Sequence, residues 1–105
     1  MRAGRLRNYI EIQQKIMVED INLELIESWP SFTHCWAEIL PLVGREYYAS
    51  RQTLSEVSAK IRMRYISGIT TKMRVIDGLK VYDIEAVIDV ENKHKELVLL
   101  VKENL

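Results

Sequence analysis

Apolar and polar residues alternate strictly over residues 57–66: Val57, Ala59, Ile61, Met63 and Tyr65 share one parity, and Ser58, Lys60, Arg62 and Arg64 the other. Side chains alternate with period two in a strand, so this segment is predicted to be one, with a core face and a face of three positive charges. Residues 8–14 alternate likewise, Ile10 and Ile12 against Tyr9, Glu11 and Gln13. Residues 34–40 read as a further strand ended by Pro41, in which Trp36 is expected to anchor the core with Trp29 beside it. Residues 73–76 and 79–89 are expected to pair across a turn at Asp77-Gly78, because both residues tolerate positive φ. In the returning strand Tyr82, Ile84, Ala86 and Ile88 are expected to share a face. Residues 96–101 include LVLLV, a continuous apolar run that implies burial on both faces.

Two segments are less regular. Residues 15–33 read as an excursion between strands. There Ile16, Met17 and Val18 could extend the first strand, and Leu23, Leu25 and Ile26 could begin a second strand or a short helix before Pro30 breaks it. Residues 45–56 suit a helix of about three turns, but Tyr47, Arg51 and Leu54 at i, i+4 and i+7 form only a thin apolar stripe. Such a helix is a surface lid or an element ordered by a neighbouring subunit. The class is therefore mainly β: a small antiparallel β-barrel or sandwich, one domain over 1–105, with one short helix or loop insertion at about residues 44–56.

The 15 basic and 15 acidic residues cancel, so no bulk charge drives binding to nucleic acid or membrane. Their distribution is uneven. Residues 57–76 hold Lys60, Arg62, Arg64, Lys72 and Arg74 and no acid, whereas acids prevail from Asp77 onward. Such polarity suits an acidic edge meeting a basic one in stacked copies, or two solvated faces of a monomer. Cys35 is the one cysteine, so no internal disulfide forms, and its strand context favours a buried thiol over a nucleophile. No apolar stretch has membrane-spanning length, and no apolar run follows the N-terminal arginines as a secretory signal requires.

Catalytic and metal chemistry find no foothold. His34 and His94 stand in different strand contexts without a metal-ligand spacing. There is no G-x-S-x-G turn and no Gly-rich phosphate loop. No catalytic, cofactor-binding or metal residues are assigned, and an enzyme is the weakest reading. Lys60, Arg62 and Arg64 could meet phosphates, though without interleaved aromatics for base stacking. Tyr47 and Tyr48 between Arg45 and Arg51 are the residue types that concentrate energy at protein interfaces.

Four motifs in order resemble the head–tail joining proteins of tailed bacteriophages, also called head-completion or stopper proteins. They are G-x-L-R before an I-x-I-Q strand (Gly4 to Gln13) and W-A-x-I-x-P-L-x-G-R-E (Trp36 to Glu46). R-x-R-Y-x-x-G-I-T (Arg62 to Thr70) and M-R-V with Y-x-I-x-x-V-x-D (Met73 to Asp89) complete the set. The resemblance spans nearly the whole chain and implies a phage or prophage structural protein with no cofactor. It implies a ring of copies, twelvefold by resemblance, with a portal or adaptor protein above and a tail-completion or tail protein below. The ring would close the DNA channel after packaging and offer the surface where the tail docks, with non-specific contact to packaged DNA. The implied place is the virion head–tail connector, assembled in the bacterial host cytoplasm. Gly44, Arg45, Glu46, Tyr47, Tyr48 and Arg51 are then expected at subunit or partner contacts, and Lys60, Arg62 and Arg64 against channel DNA or a neighbouring copy's acids. The alternative is a small non-enzymatic nucleic-acid-binding barrel using strand 58–64. The chain departs from the family pattern over residues 16–33. Asp20 stands where a D-x-x-G turn should begin, and no glycine follows.

Overall fold

The alternating segments close on one another. A computed structural model of the chain describes residues 6–42 and 57–104. Its strands are β1 (Asn8–Gln14), β2 (Ile16–Glu19), β3 (Leu25–Ser28), β4 (Ser31–Pro41), β5 (Ala59–Arg64), β6 (Met73–Asp77), β7 (Lys80–Asp89) and β8 (Glu96–Asn104). Six of them form a closed antiparallel barrel in the order β1-β4-β5-β8-β7-β6, with β6 returning to β1. Closure removes the unpaired edges that an open sheet would expose. β2 and β3 make a separate two-stranded sheet. The helix expected over 45–56 lies outside the described residues.

The inward parity of each strand fills the barrel. Ile10 and Ile12 from β1, Ile61 and Met63 from β5, Val75 from β6 and Leu99 and Val101 from β8 are fully buried. The alternation read over 57–66 holds, since Lys60, Arg62 and Arg64 take the outer face of β5. The two-sided burial expected of LVLLV holds in part: Val98 is buried on the outer wall, in register with Arg62 and Ile88, whereas Leu100 on the same parity is half-buried.

Four expectations need correction, the last of them in a turn. Trp36 does not anchor the core. It is 54% exposed, and its neighbour Ala37 takes the inward position on β4, in register with Asn8 and Met63. A strand can send only one of two successive residues inward, and a narrow barrel has room for the alanine. Trp29 does not pack beside Trp36 but lies under the Arg74 guanidinium, 4.0 Å from the ring centroid. On β7 the face does not run from Tyr82 to Ile88. A bulge between Ile84 and Ala86 inserts Glu85, after which Val87 turns toward the core and Ile88 toward solvent.

The turns follow backbone conformation. Asp77 is still paired, opposite Lys80, so the two-residue turn is Gly78-Leu79, one position later than expected. Gly78 alone has positive φ (+60°), the pattern of a type II′ turn. Gly68, at φ +90°, also lies where an added Cβ would meet the Phe32 ring at 3.1 Å. The excursion after β1 is a hairpin whose tip is Ile21-Asn22-Leu23. Asp20 N–H donates to Glu24 O (2.9 Å), and Asp20 Oδ1 accepts from the N–H groups of Asn22 (2.8 Å) and Glu24 (2.9 Å). The third tip residue of such a loop takes the left-handed conformation that glycine prefers. Here it is Leu23, at φ +63°. Leu23 thus stands where the D-x-x-G pattern carries its glycine, at a cost of roughly 1–2 kcal/mol.

Ile61→Ala is expected to lower stability by about 2–5 kcal/mol, because it opens a cavity in the barrel interior. Trp36→Ala, although it deletes a larger side chain, should cost under about 1 kcal/mol because that ring is already half in water. Urea unfolding followed by far-ultraviolet circular dichroism separates the two, and equal losses would return Trp36 to the core.

Candidate functional site

Antiparallel order sorts the connections onto two ends of the barrel. The segment between β4 and β5 springs from one end, where Leu42 N–H donates to Ser58 O (3.0 Å) and brings the two stems side by side. Leu42 and Val57 are buried there, and the Gly78-Leu79 turn sits at the same end with Leu79 fully exposed. The β2–β3 hairpin leaves from the opposite end, between the last residue of β1 and the first of β4. Near the hairpin base Gln14 N–H donates to Pro30 O (3.0 Å), and Lys15 Nζ reaches Glu27 Oε1 at 3.0 Å. The hairpin is strongly apolar for a solvated element: Ile16, Met17, Ile21, Leu23, Leu25 and Ile26 are all exposed. Exposed apolar clusters of this kind mark interaction surfaces.

A band of aromatic and charged groups crosses the wall between the two ends. Tyr9 and Trp36 face each other across β1 and β4 with ring centroids 5.1 Å apart, and Tyr9 stacks on His34 at 5.8 Å. His34 Nε2 lies 3.5 Å from Glu11 Oε2. Glu11 Oε1 accepts from Gln13 Nε2 (2.7 Å), and Gln13 Oε1 accepts from Arg74 Nε (2.8 Å). Arg74 in turn covers Trp29. The chain of contacts therefore runs from the exposed aromatic pair to the hairpin base, and Arg74 holds that base against the wall.

The residues singled out from sequence fall into two groups. Gly44, Arg45, Glu46, Tyr47, Tyr48 and Arg51 lie outside the described residues. Lys60, Arg62 and Arg64 stand in a row on the outer wall, where Arg62 Nε lies 4.0 Å from Glu96 Oε1. Arg64 borders a cavity of about 430 Å³ whose other described walls are Leu6, Cys35 and Trp36. Burial pushes the Cys35 thiol up from 9.0 to about 11, so it stays protonated near neutral pH and is a poor nucleophile. Among the described residues no cluster of three or more His, Cys, Asp or Glu could hold a metal ion.

Sequence reasoning missed the exposed aromatic pair and the apolar hairpin. The alternation of residues 8–14 did hold a signal for the first. Tyr9 has the parity opposite to Ile10 and Ile12, and register places Trp36 against it. The hairpin had no comparable signal, because its apolar residues look like core residues until the barrel is found to be full without them.

A family model described as phage head completion protein matches residues 1–104. The solution structure of protein SF1141 from Shigella flexneri 2a is similar to this chain, with a TM-score of 0.78 and 26% identity over 99% of this chain and 97% of that one. A chain in the virion of a native gene transfer agent particle has the same fold, with a TM-score of 0.64 and 17% identity over 95% of this chain and 96% of that one. No curated protein matches the chain.

Arg74→Met removes both the stacking on Trp29 and the bond to Gln13. The expected loss is about 1–2 kcal/mol of local stability at the hairpin base. Amide hydrogen exchange should quicken in β2 and β3 by roughly tenfold while β5 and β8 keep their protection. Unchanged exchange in the hairpin would show that Arg74 does not seat it.

Proposed function

The chain belongs to the phage head completion protein family, and on that premise we propose that it forms a ring at the head–tail junction that closes the DNA channel and receives the tail. Its role is that of a structural head protein. The observation that carries the finer reading is the two-ended barrel. The stems that follow β4 and precede β5 meet at one end, and the apolar hairpin leaves at the other. A joining element needs two separated contact surfaces on a rigid spacer, and a closed barrel supplies the spacer.

In this reading Gly44, Arg45, Glu46, Tyr47, Tyr48 and Arg51 make subunit or partner contacts. Copies of the chain form the ring, a portal or adaptor protein lies above it, and a tail-completion or tail protein lies below. Lys60, Arg62 and Arg64 face packaged DNA or a neighbouring copy's acids; such phosphate contacts would be independent of sequence. The carboxylate of Glu96, 4.0 Å from Arg62, offsets part of the charge of the row and weakens its pull on phosphates and carboxylates alike. Assembly takes place in the host cytoplasm.

Heads packaged without this chain are expected to lose their DNA and remain tailless, and adding the purified chain should restore both retention and tail joining. Particle counts by electron microscopy, with nuclease-protected DNA, give the readout. Retention and tailing without the chain would overturn the proposal. A monomer that instead shifts short duplex DNA with steep salt dependence would put the nucleic-acid-binding barrel in its place.

A further inference from the structure

The hairpin tip and the wall cavity are complementary features of one chain. At the tip Ile21 is 97% and Leu23 78% exposed, with Leu25 exposed beside them. Leu23 keeps its side chain in water at a backbone position that a glycine would hold without strain. A strained conformation retained for an exposed apolar side chain points to a use for that side chain. Glu19, Asp20 and Glu24 surround it without an ion pair among the described residues, whereas Glu27 is met by Lys15. The tip is therefore an apolar knob with an acidic collar.

The wall carries the matching hole. The cavity of about 430 Å³ bounded, among the described residues, by Leu6, Cys35, Trp36 and Arg64 is mostly apolar, and the exposed Trp36 ring leans on Tyr9 at its side. Arg64 makes no ion pair among the described residues. Glu96, opposite it in register, directs its carboxylate to Arg62, and Glu38 also lies opposite Arg62. The rim therefore presents a cation.

We propose that the β2–β3 hairpin of one copy seats in this cavity of a second copy, with Leu23 in the hole and the acidic collar against Arg64. Knob and hole are different surfaces, so the contact is head-to-tail, and repetition of such a contact closes a ring when its rotation allows. Opposite charges around an apolar centre fix the register and disfavour hairpin-to-hairpin pairing. The inference rests on the ring reading above and names the surfaces that would build it.

Sedimentation of the full chain at rising concentration tests it, with Leu23→Asp, Leu23→Gly and Arg64→Glu as variants and circular dichroism as the check on folding. Wild-type chains should associate, and each variant should weaken association by roughly tenfold or more, the scale of a central interface residue. Leu23→Gly is the control for misfolding, because it relaxes the turn yet removes the knob. An equal mixture of Leu23→Asp and Arg64→Glu should recover dimers and stop there, since one intact hole then meets one intact knob. Variants that associate like wild type would overturn this contact and leave the ring standing on other surfaces. Variants that fail alone and also fail when mixed would overturn the head-to-tail pairing. A wild-type chain that stays monomeric throughout would overturn the contact and, with it, a ring that forms without the adaptor.

Discussion

The capacity of one small closed barrel governs the rest of this structure. Six antiparallel strands enclose a single interior, and Ile10, Ile12, Ala37, Ala59, Ile61, Met63, Ile69, Met73, Val75, Tyr82, Ile84, Leu97, Leu99 and Val101 already fill it. Interior packing is dense, so a large side chain beyond that set has no place inside. Trp36, Tyr9 and the apolar residues of the β2–β3 hairpin consequently lie on the outside. For a lone soluble chain these exposed groups are a solubility liability. In a component of a larger particle such groups suit contact surfaces, and the chain belongs to the phage head completion family.

Period-two alternation made much of the barrel legible. It located β1 and β5, because a strand with one wet and one dry face announces both in its residue order, while the unbroken apolar run LVLLV located β8. Where the outcome depended on a partner strand, alternation was not enough. The bulge at Glu85 changes the face of β7 midway, and the mismatch with β8 that produces it cannot be seen in β7 alone. Trp36 illustrates the same limit. Its size suggested a core anchor, but register with Tyr9 on one side and the small inward space at Ala37 on the other decided its direction. The turn at Gly78-Leu79 was displaced by one residue because Asp77 stayed in the ladder. The basic row of the candidate site was readable on β5; the hairpin was readable only as an excursion.

Closure also limits where a partner could bind. A barrel without free edges cannot recruit a partner by adding a strand to its sheet. Recognition is left to segments that project from it and to side chains that stand on it. The adjoining stems of β4 and β5 and the β2–β3 hairpin stand at opposite ends. Between them the wall carries Trp36, Tyr9, His34 and Arg74 in one connected set. The strain at Leu23 lies in this projecting hairpin, outside the barrel.

Electron cryo-microscopy of the neck of particles assembled with this chain tests the central claim most directly. The expected result is a ring of copies of this six-stranded barrel between head and tail, with the 43–56 segment and the β2–β3 hairpin pointing to different neighbours. A neck that is complete without the barrel, or barrel density placed elsewhere on the capsid, would contradict it.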